Sequence, residues 1–359
     1  MMRKTLFTHF PRSRLAGLGT ALGLAVILVA ALVLGSQWVR DASANSLGVQ
    51  PSAQMVEQPL AKTALTVATS PDFPPMEYFS GTQIVGHDID VMNAIAAKLG
   101  VTVSYTEVAF GDIIARLVAG EYDAAISTLT ETPGRDELID FTLPYVTFAG
   151  NENIAIGVQQ GNNALRHQLN EALWQLRTEG TLATIVANIA VDEPEWQPSL
   201  PDWPIVSPTT ESVLVYTDTQ QNATVIHIPR GAVTETTLLA YAAAGTATTP
   251  SGFAFAGRAF ELDAYQNGMI SPGFAFNVPV TVTMHYSETD LVGMNETALR
   301  LFYWNEDTSQ WEDVATTCTP PSTYERYPND NALTIAICHL SKFALFGQYG
   351  AYLPLVMGN

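Results

Sequence analysis

The chain has 359 residues, of which 47% are hydrophobic and 14% charged, and it carries 35 acidic against 16 basic residues. This composition excludes a disordered chain and provides enough apolar residues for two globular domains. The net charge of −19 opposes nucleic acid and anionic lipid, so neither is expected as a partner.

The first 44 residues have the pattern of an export segment. Basic residues at 3, 4, 12 and 14 precede an uncharged run from 15 to 35. The run is about as long as a bilayer is thick, and Ala42-Ser43-Ala44 offers a cleavage site, so a cleaved signal peptide and an N-terminal membrane anchor both remain open. In either case we expect residues from 45 onward to lie outside the cytoplasm, at the cell surface or secreted.

Residues 45–62 form a polar linker, and residues 63–190 alternate between strand-like and helical patterns. Strands are predicted at 65–69, 101–108, 122–127 and 153–158. Apolar spacing predicts helices at 89–99, 113–118 and 165–176, which end near Gly100, Gly120 and Gly180. This alternation predicts an α/β layer with a mainly parallel sheet.

The pattern changes after residue 190. Residues 191–204 contain four prolines and no periodicity, so we interpret them as a second linker. From 205 to 350, short alternating runs such as 212–217, 223–228 and 332–337 are separated by turn residues, which predicts an all-β sandwich. Residues 351–359 form an apolar tail.

The only two cysteines, Cys318 and Cys338, are twenty residues apart in a chain expected to be exported. This favours one disulfide, with a pair of buried thiols as the alternative. A metal site is not expected, because two cysteines without suitably spaced histidines cannot fill a tetrahedral shell. No cofactor is expected either.

Three blocks in residues 63–190 resemble the extracytoplasmic solute-binding proteins of family 3, which serve polar amino-acid ABC importers. They are a Gly-x-Asp-x-Asp helix start at 86–90, a Gly-x-x-Asp-Ala strand at 120–124, and a Thr-x-x-x-x-Arg loop leading to Phe-Thr-x-Pro-Tyr at 141–145. The resemblance implies a type II periplasmic-binding-protein lobe and an ABC permease as a possible partner. We also expect Asp88 to cap the helix that begins in the first block.

The resemblance also implies a ligand site. By position, Arg135 takes the α-carboxylate of an amino acid, Thr128 and Thr130 assist, Phe73 lies over the ligand and Ser70 is a polar neighbour. The chemistry fits this assignment, because a guanidinium can hold a carboxylate with two hydrogen bonds while hydroxyls fill its remaining lone pairs.

The chain departs from this family after the Pro-Tyr block. Residues 141–158 pass from the exit of the first lobe to its return within a few residues, so the second lobe is expected to be missing. With one lobe the ligand stays half solvated, which implies weak affinity. Closure-coupled delivery is then expected to fail unless another chain supplies the missing half. The alternative is a cell-surface structural or interaction protein whose lobe no longer binds.

The second region has a weaker resemblance. Residues 223–241 contain Ile-Pro-x-Gly-Ala-Val, which is similar to the β-sandwich domains of zona occludens and netrin-receptor proteins. Neither region carries a nucleophile-elbow, phosphate-binding-loop or His-Glu-x-x-His motif, so an enzyme is not expected.

Overall fold

The computed structural model describes residues 62–245 and 247–350, which belong to one compact unit. The predicted export segment, nearly all of the first linker and the apolar tail lie outside these residues. Within the two described ranges, no helix combines the length and the apolar character needed to cross a membrane.

The first part of the described chain is built from short strands and helices in alternation. Its strands are β1 (Ala64–Thr69), β2 (Asp72–Phe73), β3 (Glu77–Ser80), β4 (Gln83–Val85), β5 (Thr102–Glu107), β6 (Ala124–Ala125), β7 (Ile139–Phe141), β8 (Val146–Phe148), β9 (Glu152–Ile154) and β10 (Gly157–Gln159). Its helices are α1 (His87–Leu99), α2 (Ile113–Val118), α3 (Pro133–Asp136), α4 (Asn163–Thr178) and α5 (Thr181–Asp192).

Five of these strands form one sheet in the order β5-β1-β6-β10-β7. Strand β1 pairs in parallel with β5 and β6, whereas β10 is antiparallel to both of its neighbours, so four of the five strands run the same way. Alternate residues of a strand face opposite sides, so Leu65 and Val67 pack with α1, α4 and α5, while Ala68 packs with α2. The α/β prediction is confirmed.

Glycine ends the predicted helices where the backbone turns left-handed. Gly100 follows α1 with φ 68°, and Gly180 stands between α4 and α5 with φ 83°. Helix α5 was not predicted from the sequence, although Leu182, Ile185 and Ile189 bury its inner face. The prediction that Asp88 caps α1 is wrong, because Gly86 occupies the N-cap and no side chain caps that end of the helix.

The second part is β-rich. Its strands are β11 (Ile205–Val206), β12 (Ser212–Thr217), β13 (Ala223–Ile228), β14 (Thr237–Ala243), β15 (Ala254–Gln266), β16 (Met269–Ile270), β17 (Ala275–His285), β18 (Met294–Asn305), β19 (Gln310–Asp313), β20 (Glu325–Tyr327), β21 (Ala332–His339) and β22 (Lys342–Tyr349). They form two antiparallel sheets, β11-β14-β15-β22-β18-β19, with β16 beside β15, and β12-β13-β17-β21-β20. Apolar side chains of both sheets, such as Phe260 and Val282, share one core.

One disulfide joins Cys318 to Cys338, with their Cα atoms 5.2 Å apart. Cys318 follows the short 3₁₀ turn Val314–Thr317, and Cys338 lies in β21. The bond therefore ties a loop to the sheet, as the cysteine pattern predicts.

The two parts meet through a buried ionic cluster. Arg166 of α4 is 1% exposed and contacts Asp263 at 2.9 Å and Glu261 at 3.2 Å, both on β15. The Asn170 amide donates to the Tyr265 hydroxyl at 3.0 Å, and Tyr265 belongs to the core of the first part. Paired charges and continuous packing therefore hold the β-rich region against the α/β region.

The segment 191–204, predicted as a linker, is also packed against the α/β region. Helix α5 extends to Asp192. Trp203 is 3% exposed and its indole donates to the carbonyl of Pro144 at 2.9 Å.

Candidate functional site

A cavity of about 520 Å³ opens beyond the carboxyl ends of the parallel strands β1, β5 and β6. The loops that follow these strands form part of its lining, which includes Phe73, Phe110 and Thr128. In open sheets this edge is the usual place for a ligand, because the chain turns there and leaves a crevice.

The lining of the cavity combines aromatic rings with acids. The rings are those of Phe73, Phe110, Phe148 and Trp196, and the acids are Asp72, Glu77, Glu152 and Glu195. Hydroxyls of Ser127, Thr128 and Thr130 complete the polar side, and no lysine or arginine lines the cavity in the described part of the chain. The cavity therefore favours a cation with an apolar stem.

A buried network of hydrogen bonds forms the floor. Glu77 is 1% exposed and accepts from the hydroxyls of Ser127 at 2.8 Å and Thr128 at 3.1 Å. Asp88, which is fully buried, accepts from the Tyr145 hydroxyl at 2.7 Å and from the Thr128 N–H at 2.6 Å. The bond to Asp88 holds Thr128 at φ 45°, a left-handed conformation that a β-branched residue rarely adopts.

The two carboxyl groups of this floor share protons. Burial, reinforced by the charge of Asp88, raises the pKa of Glu77 to about 9. Burial also raises the pKa of Asp88, to about 6, although hydrogen bonds from Tyr145 and Thr128 oppose the rise. Between these two values the pair carries one proton, because two buried carboxylates in contact cannot both ionise.

Three of the five residues assigned from the sequence line the cavity, namely Thr128, Thr130 and Phe73. Ser70 is 5% exposed and does not line it; its N–H donates to the Ser127 hydroxyl at 3.0 Å, and its own hydroxyl donates to Asp72 at 3.1 Å. Ser70 thus contacts the hydrogen-bond network under the cavity through Ser127 and does not face the cavity.

Arg135 lies beside the cavity and not in its lining. It sits in the short helix α3, its Nη1 donates to the carbonyl of Thr130 at 2.7 Å, and its guanidinium carbon is 5.6 Å from the ring centre of Phe110. Within residues 62–245 and 247–350, Arg135 has no carboxylate partner. Partial burial lowers its pKa, and it remains a cation at neutral pH.

Several lining residues were not assigned from the sequence. Phe148 and Glu152 lie on the β8–β9 hairpin, and Glu195 and Trp196 lie in the segment after α5. Trp196 stacks on Phe73, with ring centres 5.4 Å apart and planes 4° apart, and meets Phe148 edge-on at 5.3 Å. Their apolar or acidic character alone gives no signal, because their place in the site depends on the path of the chain.

Comparison with known proteins gives a match for the α/β region. Residues 65–189 match the family described as bacterial extracellular solute-binding proteins, family 3. The arginine-binding extracellular protein ArtP of Bacillus subtilis is 35% identical over 86 residues, which cover 24% of this chain and 34% of that protein. A probable histidine-binding protein of Campylobacter jejuni is 33% identical over 87 residues, again 24% of this chain and 34% of that protein.

Among solved structures, the arginine-bound form of domain 1 from TmArgBP is 33% identical, with 32% of this chain and 94% of that chain covered and a TM-score of 0.31. This chain spans about a third of the length of the two curated relatives. The resemblance stated from the sequence is confirmed for residues 65–189, and the matched family consists of solute-binding proteins.

Proposed function

We propose that this chain binds a small polar solute, an amino acid, outside the cytoplasm, as the substrate-binding module of an ABC-type importer. The observation that carries the proposal is the cavity at the carboxyl edge of the parallel strands, with the hydroxyls of Thr128 and Thr130 in its lining and Arg135 next to it. The family match of residues 65–189 and the amino-acid-binding relatives support the same function.

In this proposal Arg135 receives the α-carboxylate. One guanidinium nitrogen donates to the Thr130 carbonyl, and no acid among the described residues pairs with the guanidinium. Its other N–H groups can therefore bind an anion. Because Arg135 is half-buried and absent from the lining, its side chain must change rotamer to reach the cavity. Rotamer changes of partly exposed side chains are fast compared with ligand binding.

The charge of the cavity favours a cationic amino acid. Three exposed acids, Asp72, Glu152 and Glu195, line it beside the buried Glu77, which keeps its proton at neutral pH because its pKa is raised to about 9. The matched relatives are named for binding arginine and histidine. An arginine or lysine side chain offers an apolar stem for the rings and a positive end for the acids. A neutral amino acid of the same length offers only the stem, so we expect weaker binding.

We further propose that the α/β region is a single lobe and that the β-rich region is a sandwich similar to those of zona occludens and netrin-receptor proteins, which presents the lobe to its surroundings. The hairpin β8–β9 supports the first point, since it occupies the short connection between β7 and β10 where the second lobe is expected. The core shared by two antiparallel sheets supports the second.

Isothermal titration of the full chain with a panel of amino acids tests the proposed function. We expect heat of binding with L-arginine or L-lysine, lost in Arg135→Ala. Arg116→Ala is a matched control, because Arg116 is exposed and pairs with Glu121 away from the cavity. If no amino acid of the panel gives heat of binding, the proposal is refuted. That result favours the alternative, a cell-surface interaction protein with a lobe that does not bind.

A further inference from the structure

The chain downstream of the matched region closes one side of the cavity. After α5, residues 194–196 form a 3₁₀ turn, and Gln197 reverses the backbone at φ 48°. The segment is fixed to the β8–β9 hairpin by backbone bonds, from Ala149 N–H to the Trp196 carbonyl at 2.9 Å and between Thr147 and Ser199 at 3.0 and 2.9 Å. The turn is therefore a bonded part of the site.

The Trp196 ring forms a wall together with two phenylalanines. It lies parallel to Phe73 and edge-on to Phe148, and all three rings line the cavity. Phe73 remains 44% exposed, so this stack has a free face. The accessible part of this aromatic stack lies in the cavity and is suited to receive a ligand.

The same turn carries an acid. Glu195 is exposed, lines the cavity and lies next to Trp196, so a cation held against the stack of Phe73 and Trp196 has a carboxyl group beside it. Tryptophan binds cations more strongly than the other aromatic residues, and the attraction is greater where water is excluded.

We propose that Trp196 and Glu195 are specificity-determining residues of the ligand site, with Trp196 packing on the apolar stem and cationic end of the ligand and Glu195 neutralising its charge. The segment 194–199 thus takes the role that the opposite lobe has in a two-lobed receptor. Both residues lie beyond residues 65–189, so the family match does not assign them. The inference rests on the proposed function.

The test compares L-arginine with L-citrulline, whose side chain has nearly the same shape and carries no charge. In calorimetry on the full chain, we expect the wild type to bind L-arginine at least tenfold more tightly than L-citrulline. Trp196→Ala weakens L-arginine at least tenfold, whereas Trp196→Phe weakens it less than threefold. Glu195→Gln lowers the preference for L-arginine at least threefold, while Glu193→Gln, outside the lining, leaves it unchanged.

The outcomes separate this inference from the proposed function. If L-arginine binds the wild type, fails to bind Arg135→Ala and binds Trp196→Ala and Glu195→Gln as it binds the wild type, only the present inference is overturned. If the wild type binds neither ligand, both fail. Glu195 is exposed, so we expect Glu195→Gln to fold even if Trp196→Ala does not. Thermal unfolding of each variant checks that it is folded.

Discussion

Replacement of Glu77 by glutamine should remove a pH dependence from the stability of the protein. Glu77 is 1% exposed, and its pKa rises from 4.5 in the unfolded chain to about 9 in the fold. Between these values the folded state binds the extra proton, so this group stabilises the fold fully below pH 4.5 and loses that contribution as pH rises toward 9. Glutamine has no proton to lose and can still bond to Ser127 and Thr128.

The size of the effect follows from the width of this window. One linked proton changes the free energy of unfolding by about 1.4 kcal/mol per pH unit, which gives an upper limit of about 5 kcal/mol between pH 5 and 9. The pKa of the Asp88 carboxyl rises from 3.8 to about 6 on folding. As pH rises from 3.8 to about 6, this group therefore adds a smaller loss of stability in both the wild type and Glu77→Gln.

Urea denaturation at pH 5, 7 and 9, followed by tryptophan fluorescence, measures the difference. We expect the wild type to lose stability toward pH 9 and Glu77→Gln to lose several kcal/mol less over the same range. Glu152→Gln, at an exposed position of the same cavity, should follow the wild type. Parallel curves for the wild type and Glu77→Gln over pH 5–9 would show that the carboxyl pair does not hold its proton as the geometry implies.

Three further stability changes are expected in urea denaturation. Arg166→Met should cost about 3–5 kcal/mol, because it removes the guanidinium that pairs with the buried Asp263 and the partly buried Glu261 on β15; a loss under 1 kcal/mol would contradict this. Gly86→Ala should cost on the order of 2 kcal/mol or more, since φ is 129° and a Cβ would lie 2.2 Å from a backbone oxygen, whereas Gly111→Ala, which meets open space, should stay within about 0.5 kcal/mol. Replacing Cys318 and Cys338 by serine should cost about 2–4 kcal/mol, and an equal cost for the wild type under reducing conditions checks that the bond is responsible.

Features encoded by neighbouring residues were predictable from the sequence. Gly100 ends α1 because a left-handed residue there needs glycine, and the loop that contains Thr128 and Thr130 reaches the cavity because it directly follows a strand of the sheet. Helix α5 carries the same kind of signal in its apolar spacing, but no helix was predicted between Gly180 and residue 190.

Features that depend on distant contacts were not predictable. A carboxylate at the start of a helix usually caps it, but Asp88 instead accepts the N–H of Thr128, forty residues away, and the hydroxyl of Tyr145, fifty-seven residues away. Trp196 is likewise 123 residues from Phe73 in sequence, and only the folded path of the chain stacks the two rings.

The rigidity of the joint limits how a ligand can act on this molecule. A two-lobed receptor gains affinity by closing a hinge, whereas here a continuous core and the Arg166 cluster fix the β-rich region to the α/β region. Backbone hydrogen bonds fix the segment that carries Trp196 to β8 and to the turn that follows it. In the proposed function, affinity comes from this fixed wall and not from domain closure, although Arg135 still has to change rotamer to hold the ligand. In the proposed function, a partner that senses bound ligand would therefore contact the ligand or this wall, because the joint between the two regions is packed and ion-paired and offers no hinge.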